Sequence, residues 1–224
     1  MFDKHEDLLG EWAKQYPSGS RFIKDGIIEP TRWELAKIKV LFLLRQGYDW
    51  RNRQEDADLR QDIRDWKSAP GKTLGPVARW AYGIHNASKT SIPPLNSITS
   101  AAAYDSLLAS AIVNVKKVRG VKVSIHDDLN EYAIRDSDFI RRQLDIIDPT
   151  VVVCGGTLAS LWLCPWFKDA KKEIYDGVFV KIGNRFYFHH AHPSSFYPKE
   201  MKYYFLLSIV QQSGVLNLNP NPTP

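Results

Sequence analysis

Short runs of apolar residues alternate with amphipathic segments along this chain of 224 residues. The segments 40–44, 111–115 and 150–154 are apolar at nearly every position and show no alternation. This pattern is typical of strands that are buried on both faces, as in parallel sheets covered by helices. The amphipathic segments between them have the period of helices, so the order of elements predicts an α/β protein.

The remaining segments complete this picture. Helices are predicted over residues 2–16, 55–66, 74–84, 97–108, 136–147, 157–163 and 199–212. Asp136 or Ser137 is expected to cap the helix at 136–147. Two strands at 178–182 and 185–190, joined by Gly183-Asn184, predict a hairpin. Residues 18–31 are predicted to be irregular, and residues 121–130 show no clear pattern.

Together these elements predict a three-layer α/β/α architecture around a central, mainly parallel four-stranded sheet. A single domain is expected over residues 1–214, followed by a flexible tail at 215–224 that is rich in Pro and Asn. Because the strand at 185–190 alternates, one of His189 and His190 is expected to face the core.

The amino-acid composition excludes few functional classes. The net charge of +5 favours an anionic partner, and the seven Trp, ten Tyr and ten Phe indicate either a dense core or surfaces for stacking bases. Cys154 ends an apolar run, which predicts a buried thiol rather than a disulfide with Cys164. With two cysteines, neither a four-cysteine metal site nor an iron–sulfur cluster is expected. The absence of a long apolar run predicts a soluble, cytoplasmic protein.

Polar residues follow three of the predicted strands. The carboxyl ends of parallel strands meet at one edge of a sheet, and ligands of open α/β sheets bind there. The first strand is followed by Gln46, Gly47, Tyr48 and Asp49. The second strand ends with Asn114, Lys116 and Lys117, and the last is followed by His192, Pro193, Ser194 and Ser195.

The order of these residues resembles the uracil-DNA glycosylase superfamily, especially its bacterial and archaeal branches. Those branches carry a strand reading roughly Thr-Asn-Val-Val-Lys-Cys-Arg-Pro, and this chain has Val-Asn-Val-Lys-Lys-Val-Arg-Gly at 113–120. They continue with Leu-x-x-Gln-Ile-x-Leu-Ile-x-Pro and a Val-rich strand ending in Gly. This chain has Ile-Arg-Arg-Gln-Leu-Asp-Ile-Ile-Asp-Pro at 140–149 and Val-Val-Val-Cys-Gly at 151–155. They finish with His-Pro-Ser, which is His192-Pro193-Ser194 here.

The resemblance implies a monofunctional DNA glycosylase. Such an enzyme flips out a modified or deaminated base and hydrolyses its bond to deoxyribose, leaving an abasic site, in base-excision repair or antiviral defence. It implies a partner, DNA with a modified or damaged base, and a monomer that needs neither a cofactor nor a metal nor a membrane. The roles it implies are a catalytic hydrogen bond from His192 and base binding by Asn114, Tyr48 and Gly47. Phosphate binding is implied for Ser194, Ser195, Lys116 and Lys117.

The first motif departs from the family. Residues 45–48, Arg-Gln-Gly-Tyr, lack the Pro and the carboxylate that the family usually carries there. Gln46 is expected to orient the attacking water, or Asp49 to supply the carboxylate, although Asp49 in a turn is equally consistent with the sequence. The missing carboxylate also favours an alternative, a catalytically silent nucleic-acid-binding module on the same fold. A third hypothesis is a protein that processes nucleotides or nucleosides, since parallel sheets occur in proteins of many functions.

Overall fold

The computed structural model describes residues 2–47, 57–69, 71–118 and 126–217, and it confirms the predicted α/β class. The strands are β1 (Ile23–Lys24), β2 (Gly26–Ile27), β3 (Val40–Gln46), β4 (Ala57–Asp58), β5 (Ala111–Lys116), β6 (Val151–Gly155), β7 (Glu173–Tyr175), β8 (Phe179–Ile182) and β9 (Arg185–His190). The helices are α1 (Phe2–Ala13), α2 (Pro30–Leu35), α3 (Leu59–Trp66), α4 (Gly71–Asn86), α5 (Ser100–Leu108), α6 (His126–Arg135), α7 (Ser137–Ile147), α8 (Leu158–Leu161), α9 (Pro165–Asp169) and α10 (Lys199–Gln212). Short 3₁₀ turns span Leu95–Ser97 and Val215–Asn217.

The main sheet is mixed and has seven strands in the order β2-β5-β3-β6-β9-β8-β7. It is therefore larger than the predicted four-stranded sheet, because antiparallel strands extend it at both edges. The neighbours β5, β3, β6 and β9 pair in parallel, whereas β2, β8 and β7 pair antiparallel. Consequently the carboxyl ends of β3, β5, β6 and β9 lie along the same edge.

Two clusters of buried side chains cover the two faces of the sheet. Phe42 and Val153 belong to the cluster that α4, α5 and α10 cover. Leu43 and Val152, their neighbours along β3 and β6, belong to the cluster that α1 and α7 cover. Both faces of the inner strands are therefore buried, which explains why these strands are continuous apolar runs in the sequence.

Several local predictions are confirmed in detail. The hairpin of β8 and β9 turns at Gly183, whose φ of +58° suits a glycine. Helix α10 has the predicted bounds. Asp136 occupies the N-cap position of α7, but its side chain makes no capping hydrogen bond and accepts from the Tyr16 hydroxyl instead. His190 faces the core, whereas its neighbour His189 is exposed.

Other predictions need correction. Helix α2 begins within the segment predicted to be irregular, where Pro30 fixes its first turn and the Glu29 carboxylate accepts a hydrogen bond from Thr31 N–H. Helix α6 occupies part of the unassigned segment. The predicted tail begins too early, because Val215 is buried in the core.

The two cysteines are free and buried, as predicted for Cys154. Burial raises the pKa of both thiols, that of Cys164 to about 11, so neither is a ready nucleophile at neutral pH. In the part of the chain that the structure describes, no helix has both the length and the apolar composition needed to cross a bilayer.

A network of buried polar groups connects the first edge of the sheet to the helices. Lys117 donates from Nζ to Asp25 Oδ1 at 2.5 Å and to Gln143 Oε1 at 2.9 Å. Gln143 Nε2 lies 3.0 Å from both Asp25 Oδ1 and His5 Nε2, and Asn114 N–H donates to Asp25 Oδ2 at 2.8 Å. Burial lowers the pKa of His5 to about 4, so its ring is neutral at pH 7 and can accept from the amide. Each buried charge in this network therefore has a charged partner and hydrogen bonds.

We expect Lys117→Met to lower the free energy of unfolding by about 3–5 kcal/mol, because the Asp25 carboxylate would stay buried without its cation. Urea unfolding followed by circular dichroism measures this change. Glu11→Gln is the matched control: it removes the exposed pair with Arg142, and the midpoint should not move measurably. Equal stability of Lys117→Met and the parent protein would contradict the role of the pair.

Candidate active site

A cavity of about 690 Å³ opens where the carboxyl ends of three parallel strands converge. Arg45 lies at the end of β3, Gly156 follows β6, and His192 follows β9. Helix α10 contributes Lys202 and Phe205 to the lining. The sheet order places β5 and β6 on opposite sides of β3, so the cavity lies beside the point where the strand order reverses. This is where open α/β sheets bind their ligands.

Two consecutive glycines allow the strand ends to approach each other. A Cβ on Gly155 would lie 3.3 Å from Pro193 Cδ, and a Cβ on Gly156 would lie 2.9 Å from Arg45 Nε. Gly156 also has a φ of +72°, which other residues rarely adopt. Its carbonyl accepts from Arg45 Nε at 3.3 Å, and its N–H donates to His190 O at 2.8 Å. Both glycines therefore permit close packing, and the Gly156 N–H already has a hydrogen-bond acceptor in His190 O.

A tight turn presents His192 to the cavity. Ser195 N–H donates to His192 O at 2.9 Å, which closes the turn with Pro193 at its second position. The buried Lys202 donates from Nζ to Pro193 O at 2.7 Å and to Ser195 O at 2.9 Å. The turn is thus anchored to α10 by charge-assisted hydrogen bonds.

Hydrogen bonds within this turn fix the protonation of His192. Ser194 N–H donates to His192 Nδ1 at 3.3 Å, and Ser194 Oγ lies 2.8 Å from the same atom. Partial burial, followed by the positive charges of Arg45 and Lys202, lowers the pKa of His192 to about 4. The ring is therefore neutral at pH 7, and because Nδ1 accepts from the backbone, the proton resides on Nε2. His192 Nε2–H is consequently a neutral hydrogen-bond donor.

The cavity is electropositive. Arg45 and Lys202 are the basic side chains of its lining, and no carboxylate lines the cavity among the described residues. A carboxylate beside an imidazole would raise its pKa, so the lack of one there agrees with a neutral His192. The arrangement is suited to stabilise negative charge that develops on a bound ligand.

The structure brings together part of the predicted site. His192, Ser194 and Ser195 all line the cavity. Gln46 and Lys116 are register partners at the ends of β3 and β5, and they are not among the described residues that line it. The polar residues at the strand ends therefore share an edge of the sheet but do not form a single site.

Three further predicted residues lie in or after the first motif. Gly47 is buried, and a Cβ there would lie 2.7 Å from Ile23 Cδ1, so this glycine permits close packing. Tyr48 and Asp49 lie outside the described residues. Their predicted roles, stacking on the base and activating water, stay predictions from the sequence.

The roles predicted for the residues of β5 and its exit need correction. Asn114 and Lys117 are buried, and both bind Asp25 instead of facing the cavity. The side chain of Lys117 is fully buried, where it neutralises the Asp25 carboxylate. It therefore has no exposed atom that could hold a phosphate. Lys116 is largely buried and binds Asp128 at 2.6 Å, so phosphate binding would require that pair to open.

Among the lining residues that were not predicted as site residues, four carry the charges and rings of the cavity. Arg45 belongs to β3, which continues two residues beyond the predicted end of the strand. Lys202 and Phe205 lie on α10, and no motif in the sequence distinguishes them from other helical residues. For His190 the sequence predicted only that either it or His189 faces the core, and its place in the lining depends on the tertiary structure.

Comparisons of the chain with protein-family models, with curated proteins and with solved structures find no match. The resemblance to the glycosylase superfamily is therefore supported by the quoted residues only. Since an α/β fold does not determine function, the functional argument depends on the chemistry of the cavity.

The state of His192 is directly measurable. We expect long-range ¹H–¹⁵N NMR spectra to show the Nε2–H tautomer at pH 7 and a pKa of about 4. Arg45→Gln should raise this pKa, because it removes a positive charge near the ring. Ser194→Ala should keep the tautomer, because the backbone N–H still donates to Nδ1. Titration of His192 near its ordinary pKa, or a proton on Nδ1, would contradict the assignment.

Proposed function

We propose that this protein is a monofunctional DNA glycosylase that binds a flipped modified or deaminated base in the cavity and hydrolyses its N-glycosyl bond. The observation that carries the proposal is the neutral His192, held with Nε2–H as a donor in an electropositive cavity at the carboxyl edge of the sheet. The motif His192-Pro193-Ser194 supports it from the sequence.

The chemistry of base removal needs such a donor. As the bond to the sugar breaks, positive charge develops on the sugar and negative charge on the departing base. A hydrogen bond from His192 Nε2–H stabilises that negative charge most when it is fully developed, which is the condition for catalysis. The charges of Arg45 and Lys202 act in the same direction.

An exposed aromatic side chain beside the turn supports action on duplex DNA. Phe196 is 91% exposed and stacks on Tyr197 with ring centroids 4.8 Å apart. Proteins that distort DNA often insert an apolar side chain between base pairs, and enzymes that act on a base must extrude it from the stack. We infer that Phe196 fills the gap left by the flipped base.

Among the described residues that line the cavity there is no carboxylate that could activate an attacking water. From the sequence, Gln46 or Asp49 is proposed to orient or activate this water. The positive net charge and the hydroxyl of Ser194 are proposed to favour the DNA phosphates. We also propose that the protein acts as a monomer in the cytoplasm, either in base-excision repair or in defence against modified viral DNA.

The direct test is release of free base from a panel of duplex oligonucleotides with deaminated or modified bases and from modified viral DNAs. Abasic sites are scored by alkaline cleavage. We expect His192→Ala to reduce single-turnover release by about 100- to 1,000-fold, the usual cost of removing one such donor. His85→Gln is the matched control, because His85 hydrogen-bonds Ser110 and is not among the described lining residues.

Two outcomes would overturn this assignment. Near-normal release by His192→Ala would remove His192 from the mechanism. Failure of the parent protein to release any base, with DNA binding that weakens steeply with salt, would favour the binding module instead.

The role of Phe196 gives a separate test. We expect Phe196→Ala to slow release from duplex DNA by about tenfold or more and to affect single-stranded substrate much less, because flipping from a duplex costs a few kcal/mol. Comparison of the two substrates in single-turnover assays measures this difference. Leu35→Ala, which removes another exposed apolar side chain, serves as the control. Equal loss on both substrates would contradict a wedge.

A further inference from the structure

Two polar groups in the cavity lack a hydrogen-bond partner. His190 is 3% exposed, and within the described part of the chain neither of its ring nitrogens has a partner. The hydroxyl of Ser195 is likewise buried and unpartnered there. Both residues line the cavity that contains His192. Buried polar groups are nearly always satisfied, so this pair calls for an explanation.

The packing around His190 does not explain why a histidine occupies this position. The ring of His190 lies edge-on to Trp80, with centroids 4.6 Å apart, and parallel to Phe205, with centroids 6.0 Å apart. A phenyl ring would make the same contacts without burying two polar atoms. The nitrogens of His190 therefore add a cost to the fold, and no step of the proposed base removal uses them.

The protonation of His190 defines what it can bind. Burial, and then the charges of Lys202 and His189, lower the pKa of His190 to about 4. At neutral pH its ring accordingly offers one donor and one acceptor, and Ser195 Oγ offers both as well. The positive charges of Arg45 and Lys202 in the same cavity disfavour a cationic ligand group. A hydroxyl, which donates and accepts, complements this set.

The spacing allows one ligand to contact His190 and His192 together. The two residues are separated by one position, so their Cα atoms are at most about 7 Å apart. The cavity of about 690 Å³ falls within the range that holds drug-sized ligands, so a pyrimidine leaves space for a substituent.

We propose that His190 and Ser195 form a second subsite that binds a hydroxyl-bearing substituent on the flipped base, while His192 binds the base near its bond to the sugar. This inference deepens the proposed function and rests on it for the identity of the ligand as a base. The preferred substrate class is a pyrimidine with a neutral hydroxyl-bearing substituent.

Two free bases that differ by one oxygen test the subsite without any catalysis. Calorimetry compares 5-hydroxymethyluracil with thymine on the parent protein, on His190→Phe and on Ser195→Ala. We expect the parent protein to prefer 5-hydroxymethyluracil by about tenfold, the effect of one well-made hydrogen bond. Both variants should lose this preference and keep their affinity for thymine. His190→Phe should also melt no lower than the parent, because it removes unpaired polar atoms and keeps the ring contacts.

Base release from duplexes with either base separates the two proposals. If the parent protein prefers 5-hydroxymethyluracil in binding but releases no base, the subsite stands and the glycosylase function fails. If it releases both bases equally and the variants are unaffected, the function stands and the subsite is wrong. Absence of a preference in calorimetry, or a preference that both variants keep, would also overturn the subsite.

Discussion

The buried pair of Asp25 and Lys117 is the interaction on which the arrangement of this fold depends. Both side chains are 0% exposed. Removing two charges from water is expensive, and the cost is offset only when the pair is close and its other hydrogen-bonding positions are satisfied. Here Gln143 bonds both partners, and Lys117 Nζ also lies over the ring of Trp12 at 4.6 Å from its centroid. One network thereby fixes the link between β1 and β2, the exit of β5, and helices α1 and α7.

The network also determines where the sheet edge can bind a ligand. Four parallel strands end along one edge, but the side chains of Asn114 and Lys117, at the end of β5, are committed to Asp25. The ends of β3, β6 and β9 instead surround the cavity, with Arg45 and His192 on its wall. The parallel strands therefore define the carboxyl edge at which a ligand can bind. The buried Asp25–Lys117 pair on one side of the sheet then determines which part of that edge is available to the ligand.

These facts explain how much could be predicted from the sequence. The continuous apolar runs identified the inner strands, and the hairpin at Gly183 followed from its turn residues. The turn at His192 brings three predicted site residues into one cavity, because they are close in the chain. Asn114 and Lys117 were misassigned because their partner, Asp25, lies 89 and 92 positions away, and neither local period nor motif indicates such a pairing. Arg45 and Lys202 were missed for the same reason, since strand β3 and helix α10 meet only in the folded chain.

The charges of the cavity have one further physical consequence under the proposed function. Burial, and then the charges of Arg45 and Lys202, lower the pKa of His192. The same two cations stabilise the departing base, but they oppose the positive charge that develops on the sugar. With no carboxylate among the described residues lining the cavity, the compensating negative charge has to come from elsewhere. The phosphates on either side of the flipped nucleotide supply such charge, and a free nucleoside lacks them. Under the proposed function, the electrostatics of the cavity would therefore favour a nucleotide within DNA over a free nucleoside.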